Sequence, residues 1–294
     1  MVTFDASDDS RRLRLLMSDA ELEQVVQIRG DIRELDTVQW LLDEHAITNV
    51  IHLAALQVPF CRADPPLGAQ VNVVGTVNLF EAVQRRAGRI ANIVYASSIA
   101  AHAPEGPDGD LSAAGLPTTL YGVYKRANEG TAHVYFNDHG LPSIGLRPHT
   151  VFGPGRDQGL TSAPTYAALA AATGQSYRVP YGGRHQLQYA PDVAGAFIQA
   201  SDADLSGAPV HDLGGEVTGI DDVLAAIERV VPESSGTLTY DADTRLPFPA
   251  GTDDGGLDAV IGPRSVTSLD DAVAQTIERF RAAVAGGALS TELA

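Results

Sequence analysis

The chain has 294 residues, 44% of them hydrophobic, which suits one large α/β domain or two smaller ones and excludes a disordered chain. Twenty basic against 37 acidic side chains give a net charge of −17, which argues against nucleic acid or an anionic membrane surface as partner. A single cysteine, Cys61, excludes an internal disulfide and suggests a reducing compartment. With no run approaching ~18 apolar residues, and no basic start followed by a long apolar segment, a soluble cytoplasmic protein without a membrane span is expected.

Short apolar runs alternate with helical spacing, the pattern of a parallel sheet with crossover helices. Residues 2–4, 24–28, 49–53, 90–96 and 143–146 read as strands. Helical spacing fills 35–45, 66–87 and 120–138, with Val71, Val74, Leu79 and Val83 on one stripe of the second. Pro65-Pro66 suits its start and Gly88 its stop. After Arg147-Pro148 the chain is richer in Gly, Pro and Thr, and its elements shorten. Helices are expected near 163–173, 191–202, 219–231 and 268–284, strands near 177–180 and 209–213, and a surface excursion over 233–258. The reading is a doubly wound parallel sheet over residues 1–153, to which a helix at 191–203 returns. A smaller second lobe covers 154–294. There is no internal repeat.

Tyr121 and Lys125 lie four apart and share a face if 120–137 is helical. An ammonium beside a phenol favours the phenolate, drawing a group with reference pKa near ~10 toward working pH. A serine hydroxyl from a neighbouring strand end would hold the substrate oxygen while the tyrosine moves its proton. Ser97-Ser98 end the apolar run Ile93-Val94-Tyr95-Ala96, 23 residues upstream of Tyr121. Tyr-x-x-x-Lys alone also fits an ordinary amphipathic helix. The serine pair tips the balance toward hydride chemistry at a carbinol carbon beside a nicotinamide.

With these residues placed, the chain resembles the extended short-chain dehydrogenase/reductases, the NAD-dependent epimerase/dehydratase family. Gly30-Asp31-Ile32 resembles the family turn whose acid contacts adenine, and His52-Leu53-Ala54-Ala55 the strand end packing against the cofactor. Asn72-Val73-Val74-Gly75-Thr76 is similar to the family's Asn-x-x-Gly-Thr helix. The stretch from Leu146 to Gly155 resembles the segment entering the substrate lobe. Pro191-Asp192-Val193-Ala194 and Ser268-Leu269 with the last helix match later elements. The resemblance implies a Rossmann-type fold with NAD as cofactor. Tyr121 becomes the acid/base, Lys125 its partner reaching the nicotinamide ribose, and Ser98, rather than Ser97, the catalytic serine. Asp5, Asp31, Ile32, Leu53, Ala54, Ala55, Asn72 and Pro148, with Tyr121 and Lys125, would line the cofactor. Gln57, Ser98, His149, Thr150, Arg184 and His185 would face a small sugar-like substrate. Where the family commonly has a Tyr-Gly pair, this chain has His102-Ala103, which reshapes the pocket. By analogy, the helices at 66–87 and 120–138 would pair across a homodimer two-fold.

The family's opening strand and Gly-x-x-Gly-x-x-Gly turn are missing; there, backbone amides and a helix N-terminus receive the pyrophosphate. Residues 2–5 resemble the second strand, with Asp5 at the acid that binds the adenosine ribose hydroxyls and disfavours the 2′-phosphate of NADP. Loss of a central strand leaves two interior edges unpaired. Of a shortened chain, a strand supplied by another chain, or decay, the otherwise intact pattern favours shortening by roughly 30 residues, about one βα unit. Such a chain is expected to bind NAD weakly or not at all. Ile99-Ala100 after Ser98, in place of the dehydratases' Asp-Glu, disfavours dehydration. His185 stands where epimerases carry a diphosphate-gripping arginine, with Arg184 one position early and pointing to the opposite strand face. The reading is an epimerase-type oxidoreductase acting on a sugar or nucleotide-sugar. A dehydrogenase of a small sugar, polyol or sugar acid is the rival, and a non-catalytic binding module the third possibility. The eight histidines are dispersed, so no metal is expected. Cys61 has no activating partner in view, and Asp8-Asp9 with Arg11-Arg12 reads as a self-paired solvated run.

Overall fold

The computed structural model describes residues 1–86, 88–103 and 115–289. The strands are β1 (Val2–Asp5), β2 (Val26–Arg29), β3 (Val50–His52), β4 (Ile93–Ala96), β5 (Ser143–Arg147), β6 (Thr150–Phe152), β7 (Tyr177–Val179), β8 (Arg184–Tyr189), β9 (Val210–Asp212), β10 (Val217–Gly219) and β11 (Leu238–Tyr240). Four short or medium helices precede the first long motif: α1 (Arg11–Leu16), α2 (Asp19–Leu22), α3 (Leu35–Glu44) and α4 (Val58–Ala63). Next come α5 (Pro65–Ala69), α6 (Gly75–Gln84) and α7 (Leu120–His139). The second half adds α8 (Ala163–Thr173), α9 (Ala190–Asp202), α10 (Ile220–Val230), α11 (Leu257–Ile261) and α12 (Leu269–Ala285).

Strands β3, β4, β5 and β9 form one parallel sheet in the order β3-β4-β5-β9, and β1 and β2 pair in parallel as a second sheet. Among the described residues β1 is paired only with β2, and β3 only with β4. Phe4 of β1 nevertheless packs on the core of Ile93, Tyr95, Leu79, Phe80 and Val38, so one apolar layer underlies both sheets. The runs Ile93–Ala96 and Ser143–Arg147 are buried almost throughout, as strands covered on both faces must be. Helix α9 returns to this half: Phe197 and Ala200 pack on Val94, Ile144 and Leu146.

The rest is built on two small sheets, β10-β8-β6 and β11-β7, and on a further core where Ala-rich α8, α10 and α12 pack against one another. The expected excursion at 233–258 is instead woven into this core. β11 pairs with β7, Leu238 and Leu246 are buried in it, and Phe248 packs on it, while Leu257 is buried in the core of the first half. Its apolar residues are too widely spaced to show a period of two or 3.6. The helix expected at 66–87 runs without a break from Pro65 to Gln84, residue 87 lying outside the described residues, but is not uniform. It holds a π-helical turn at Gln70–Val74 between α5 and α6, a widening that often marks functional positions. The Arg11-Arg12 run is only partly self-paired: Arg11 meets Asp9 at 3.1 Å, whereas Arg12 reaches Asp157 at 2.6 Å, tying α1 to the second half.

Candidate active site

Strand β4 ends at Ala96, and alternation then divides the two serines. Ser97 is buried and its hydroxyl donates to Glu129 of α7. Ser98 stands on the open side and caps the short turn Ile99–Ala101, its Oγ accepting from the Ala100 N–H at 3.2 Å. That bond uses a lone pair and leaves the hydroxyl proton free to donate. Helix α7 begins beside it, with Thr119 Oγ1 accepting from the Gly122 N–H at 3.1 Å. Gly122 permits the approach, because a Cβ built there would fall 2.0 Å from the Ala100 carbonyl oxygen. Tyr121 is thereby set against Ser98, whose hydroxyl hydrogen-bonds to the phenol and lowers its pKa, opposing the larger effect of burial.

Lys125 lies one turn along, its Nζ 5.5 Å from the Tyr121 ring centroid and donating to the Ala96 carbonyl at 2.7 Å. The expected electrostatics are reversed in part. Burial raises the Tyr121 pKa above its ordinary value, and burial lowers Lys125 to about 8. Both groups are desolvated, and the ammonium is turned to a strand-end carbonyl rather than to the phenol oxygen. Desolvation therefore outweighs the charge pairing that their spacing suggests.

Behind Ser98 lies a network that the sequence did not reveal. Arg147 forks onto Glu129 through Nε and Nη2, both at 2.7 Å, and its Nη1 lies 3.7 Å from Asp212. His102 Nε2 sits 3.0 Å from the same Asp212 carboxylate. Glu129 and Asp212 come from distant elements, and nothing in their sequence neighbourhood announces the pairing.

The other candidates fall into two groups. At the carboxyl ends of β1, β2 and β3, the crevice where open α/β sheets take ligands, Asp5 and Leu53 are exposed, Leu53 by 60%. Ala54 is exposed beside it, and Ala55 is half-buried. Asp5 accepts from the Ser7 N–H at 2.8 Å. Asp31 is bound to Arg33, which holds its carboxyl below the usual range. Ile32 packs on Gly75 so closely that a Cβ there would lie 2.6 Å from its Cγ2. Asn72, in the π-turn, is buried with both amide groups engaged: Oδ1 accepts from Leu56 N at 2.7 Å and Nδ2 donates to Leu56 O at 2.9 Å. It thus acts on the 53–57 loop. Cys61 is buried below this loop, and burial raises its thiol pKa. The half-buried Pro148 accepts from the Ile99 N–H at 3.0 Å.

On the substrate side, Gln57 reaches Arg156, with Oε1 accepting from Nη1 at 3.4 Å. His149 and Thr150 are buried against one another, and His149 Nε2 meets the Pro249 carbonyl at 2.7 Å. His185 is buried beside His149 and Tyr181, its Nε2 2.9 Å from the Gly182 carbonyl. Arg184 is exposed, bound to the Val217 carbonyl and 3.6 Å from Asp222. It lines a surface groove with Arg229 and Asp270. Among the described residues, no hydrogen bond, ion pair or ring contact joins these four to Ser98, Tyr121 or Lys125.

A parallel sheet with crossover helices and a Ser-Tyr-Lys cluster at the end of a central strand defines a Rossmann-type α/β protein. The profile of the NAD dependent epimerase/dehydratase family matches residues 9–213, and the chain belongs to that family. It is 34% identical over 154 residues to UDP-glucuronate 4-epimerase 6 of Arabidopsis thaliana, covering 51% of this chain and 32% of that protein. It is 35% identical over 137 residues to UDP-glucuronate 4-epimerase 5 of the same plant, covering 46% and 31%. The matched stretch spans about a third of the length of these curated relatives. Among solved structures, the UDP-glucose 4-epimerase of Thermotoga maritima superposes with a TM-score of 0.80 at 17% identity, covering 96% of this chain and 91% of that one. The GalE-like L-threonine dehydrogenase of Cupriavidus necator gives 0.77 at 20% identity, covering 94% and 98%. These two likenesses are of fold. No described helix is long and apolar enough to cross a membrane.

Proposed function

We propose that the chain carries out reversible, NAD-dependent hydride transfer at a carbinol of a sugar or nucleotide-sugar, in the epimerase manner. The observation that carries this reading is the meeting of Ser98 and Tyr121 at the end of β4, with Lys125 one turn along, in a chain of this family. With substrate bound, the Ser98 hydroxyl would turn its proton from the Tyr121 phenol to the substrate oxygen and fix its orientation. Tyr121 would take the carbinol proton as hydride leaves and return it when hydride comes back. In the described state Tyr121 holds its proton firmly, which suits it to the returning, acid step. The phenolate needed for oxidation depends on the Ser98 hydroxyl and on the neighbouring cations. Bound NAD supplies the hydride acceptor and donor.

The residues fit the two ends of that cofactor. Asp5, Asp31 and the exposed Leu53-Ala54-Ala55 would line the adenosine side, and Tyr121, Lys125 and Pro148 the nicotinamide side. The pyrophosphate calls for a glycine-rich turn that none of the 294 residues provides. Two neighbours of the same fold were solved with NAD, MoeE5 in complex with UDP-glucose and NAD and the dTDP-glucose 4,6-dehydratase of Bacillus anthracis. The division into a cofactor half, 1–153 plus α9, and a substrate lobe, 154–294, is supported by the core around α8, α10 and α12, although β9, Leu213, Leu257 and Ile261 pack with the cofactor half and Leu15 and Phe152 with the lobe. A homodimer through α6 and α7 is supported by exposed Val123 and Val134 on α7 and Val74 at the start of α6.

One observation favours the second reading, a dehydrogenase of a small sugar, polyol or sugar acid. Arg184 is spent on Asp222 and Val217, and buried His185 replaces the expected diphosphate grip. NADH absorbance separates the two. An epimerase converts UDP-glucuronate or UDP-glucose to a second stereoisomer with no net NADH, whereas a dehydrogenase accumulates NADH with D-glucuronate or D-glucose. Ser98→Ala and Tyr121→Phe should abolish either activity, and full turnover by Tyr121→Phe refutes the proposed chemistry.

A further inference from the structure

Ser97, Arg147 and Asp212 lie in one row across the carboxyl ends of β4, β5 and β9. Arg147 and Asp212 are direct register partners, and the Ser97 N–H donates to the Leu146 carbonyl at 2.8 Å. Two groups from outside the sheet close the row. Glu129 of α7 accepts from the Ser97 hydroxyl and from the Arg147 fork, and His102 meets Asp212 from beyond the Ser98 turn. The contacts run Ser97–Glu129–Arg147–Asp212–His102, so their two ends flank residues 98–101. His102 departs from the Tyr-Gly pair common in the family, and the proposed hydride chemistry gives it no part.

The outer ring nitrogen of His102 stands between a donor and an acceptor. Nε2 lies 3.0 and 3.2 Å from the Asp212 oxygens and 3.2 Å from Arg147 Nη1. One ring nitrogen either donates or accepts. Arg147 already places Nε and Nη2 on Glu129, and its Nη1, 3.7 Å from Asp212, is beyond hydrogen-bond length. Among the described residues His102 is then the one side chain within hydrogen-bond distance of the Asp212 carboxylate. Asp212 and Arg147 are largely enclosed and His102 is half-buried. A carboxylate without a hydrogen bond is costly in such a place, which puts the proton on Nε2, donating to Asp212.

The turn held in this way has few other ties. Ser98 Oγ accepts from the Ala100 N–H at 3.2 Å, the Ile99 N–H donates to the Pro148 carbonyl at 3.0 Å, and the Ala100 carbonyl abuts Gly122. These contacts fix its start and its flank. The His102–Asp212 bond fixes its far end to β9.

We propose that His102, through its hydrogen bond to Asp212, is a positioning residue for Ser98: it locks the 98–101 turn to β9 and keeps the serine hydroxyl aimed at Tyr121 and the substrate oxygen. The proposal rests on the reading of Ser98 as the hydroxyl that orients that oxygen; the lock on the turn is independent of it. Neither His102 nor Asp212 touches substrate in this role, and the Ser97–Glu129–Arg147 arm holds the other end of the turn.

The test uses the 294-residue chain isotope-labelled at tyrosine Cζ, with Tyr121→Phe to assign the Tyr121 resonance. Wild type is compared with Ser98→Ala, His102→Leu, His102→Gln and the Ser98→Ala/His102→Leu double variant. Ser98→Ala removes the hydroxyl bonded to the Tyr121 phenol and shifts that resonance. His102→Leu should shift it in the same direction by a comparable amount, and should add nothing in the Ser98→Ala background. His102→Gln, which keeps an N–H donor of similar reach, should leave it near wild type. With UDP-glucuronate or D-glucuronate as substrate, His102→Leu should lower kcat about tenfold, the scale of one misplaced hydrogen bond. KM should change little, and His102→Gln should turn over close to wild type. His102→Ala, which adds no bulk, takes the place of His102→Leu if that chain does not unfold cooperatively. A wild-type Tyr121 resonance in His102→Leu overturns the proposal, as does failure of Gln to restore what Leu loses. So does a further shift in the Ser98→Ala background, or a defect confined to KM. If wild type turns over neither substrate, the hydride reading fails separately, and the resonances still decide the lock.

Discussion

Gly122→Ala isolates the packing that sets Tyr121 against Ser98. The added Cβ would sit 2.0 Å from the Ala100 carbonyl oxygen and 2.9 Å from Pro117 Cβ. A carbon–oxygen contact relaxes to about 3.3 Å, so the start of α7 and the 99–101 turn must part by roughly 1.3 Å. The obstacle is backbone, which cannot rotate away. Overpacking of this kind costs about 1–3 kcal/mol, and with a backbone obstacle the upper end applies; a helix-propensity gain of at most about 1 kcal/mol leaves a net loss of about 2 kcal/mol. At roughly 2–4 °C per kcal/mol for a chain of this size, the midpoint should fall by several degrees. Turnover should fall further, about a hundredfold, because a displacement near 1 Å at reacting groups costs that much. Gly130→Ala is the control on the same helix: nothing lies within 4 Å of its Cβ, so it should hold or raise the midpoint with activity intact. Thermal unfolding by circular dichroism, with NADH-coupled rates for both variants, decides the matter. A Gly122→Ala protein as stable and active as the Gly130→Ala control would refute the close approach.

Other consequences concern buried titratable groups and the loop behind the site. Lys125 sits at about 8 when folded against 10.5 in the unfolded chain, so its burial penalty is fully present below pH 8 and disappears as pH rises toward 10.5. Lys125→Met should therefore be more stable than wild type at pH 7, by up to roughly 3 kcal/mol, while losing turnover. Its advantage in urea unfolding should shrink between pH 8 and 10; an advantage that grows there contradicts the assignment. Burial holds His52 at about 3 and His149 at about 4, below the ordinary 6.5. The unfolded state then binds more protons below pH 6.5, so stability should fall as pH drops from 6.5 toward 4. His52→Gln should flatten that slope in a pH series of melts. Asn72→Leu leaves the Leu56 N–H and carbonyl without the partners that hold them at 2.7 and 2.9 Å. It should lower stability by about 1–3 kcal/mol and raise KM more than it lowers kcat, through the freed 53–57 loop.

Much of the fold was legible where residues act locally. The apolar runs at 49–53, 90–96 and 143–146 carry their strand character in composition, and 120–138 its helix in spacing, because both signals lie within a few residues. Where a strand exists only by virtue of a distant partner, as β11 does against β7, sparse apolar residues gave no pattern to read. The same divide runs through the site. The Ser97/Ser98 choice followed from position in the family motif, and strand alternation places Ser97 on Glu129 and Ser98 in the open.

The order of the chain by itself determined the family, the parallel α/β class and the spacing of Ser98, Tyr121 and Lys125, since these depend on short-range pattern and local motifs. Tertiary structure alone decided how those groups are charged and what stands beside them. Desolvation raised the phenol and lowered the ammonium against the expectation from spacing. Asp157 was drawn to Arg12, and Arg156 was left beside Gln57 with no carboxylate in ion-pair distance among the described residues. Burial and ion pairing are properties of three-dimensional neighbourhoods, contributed by residues far apart in sequence, as Arg12 and Asp157 are at 145 positions.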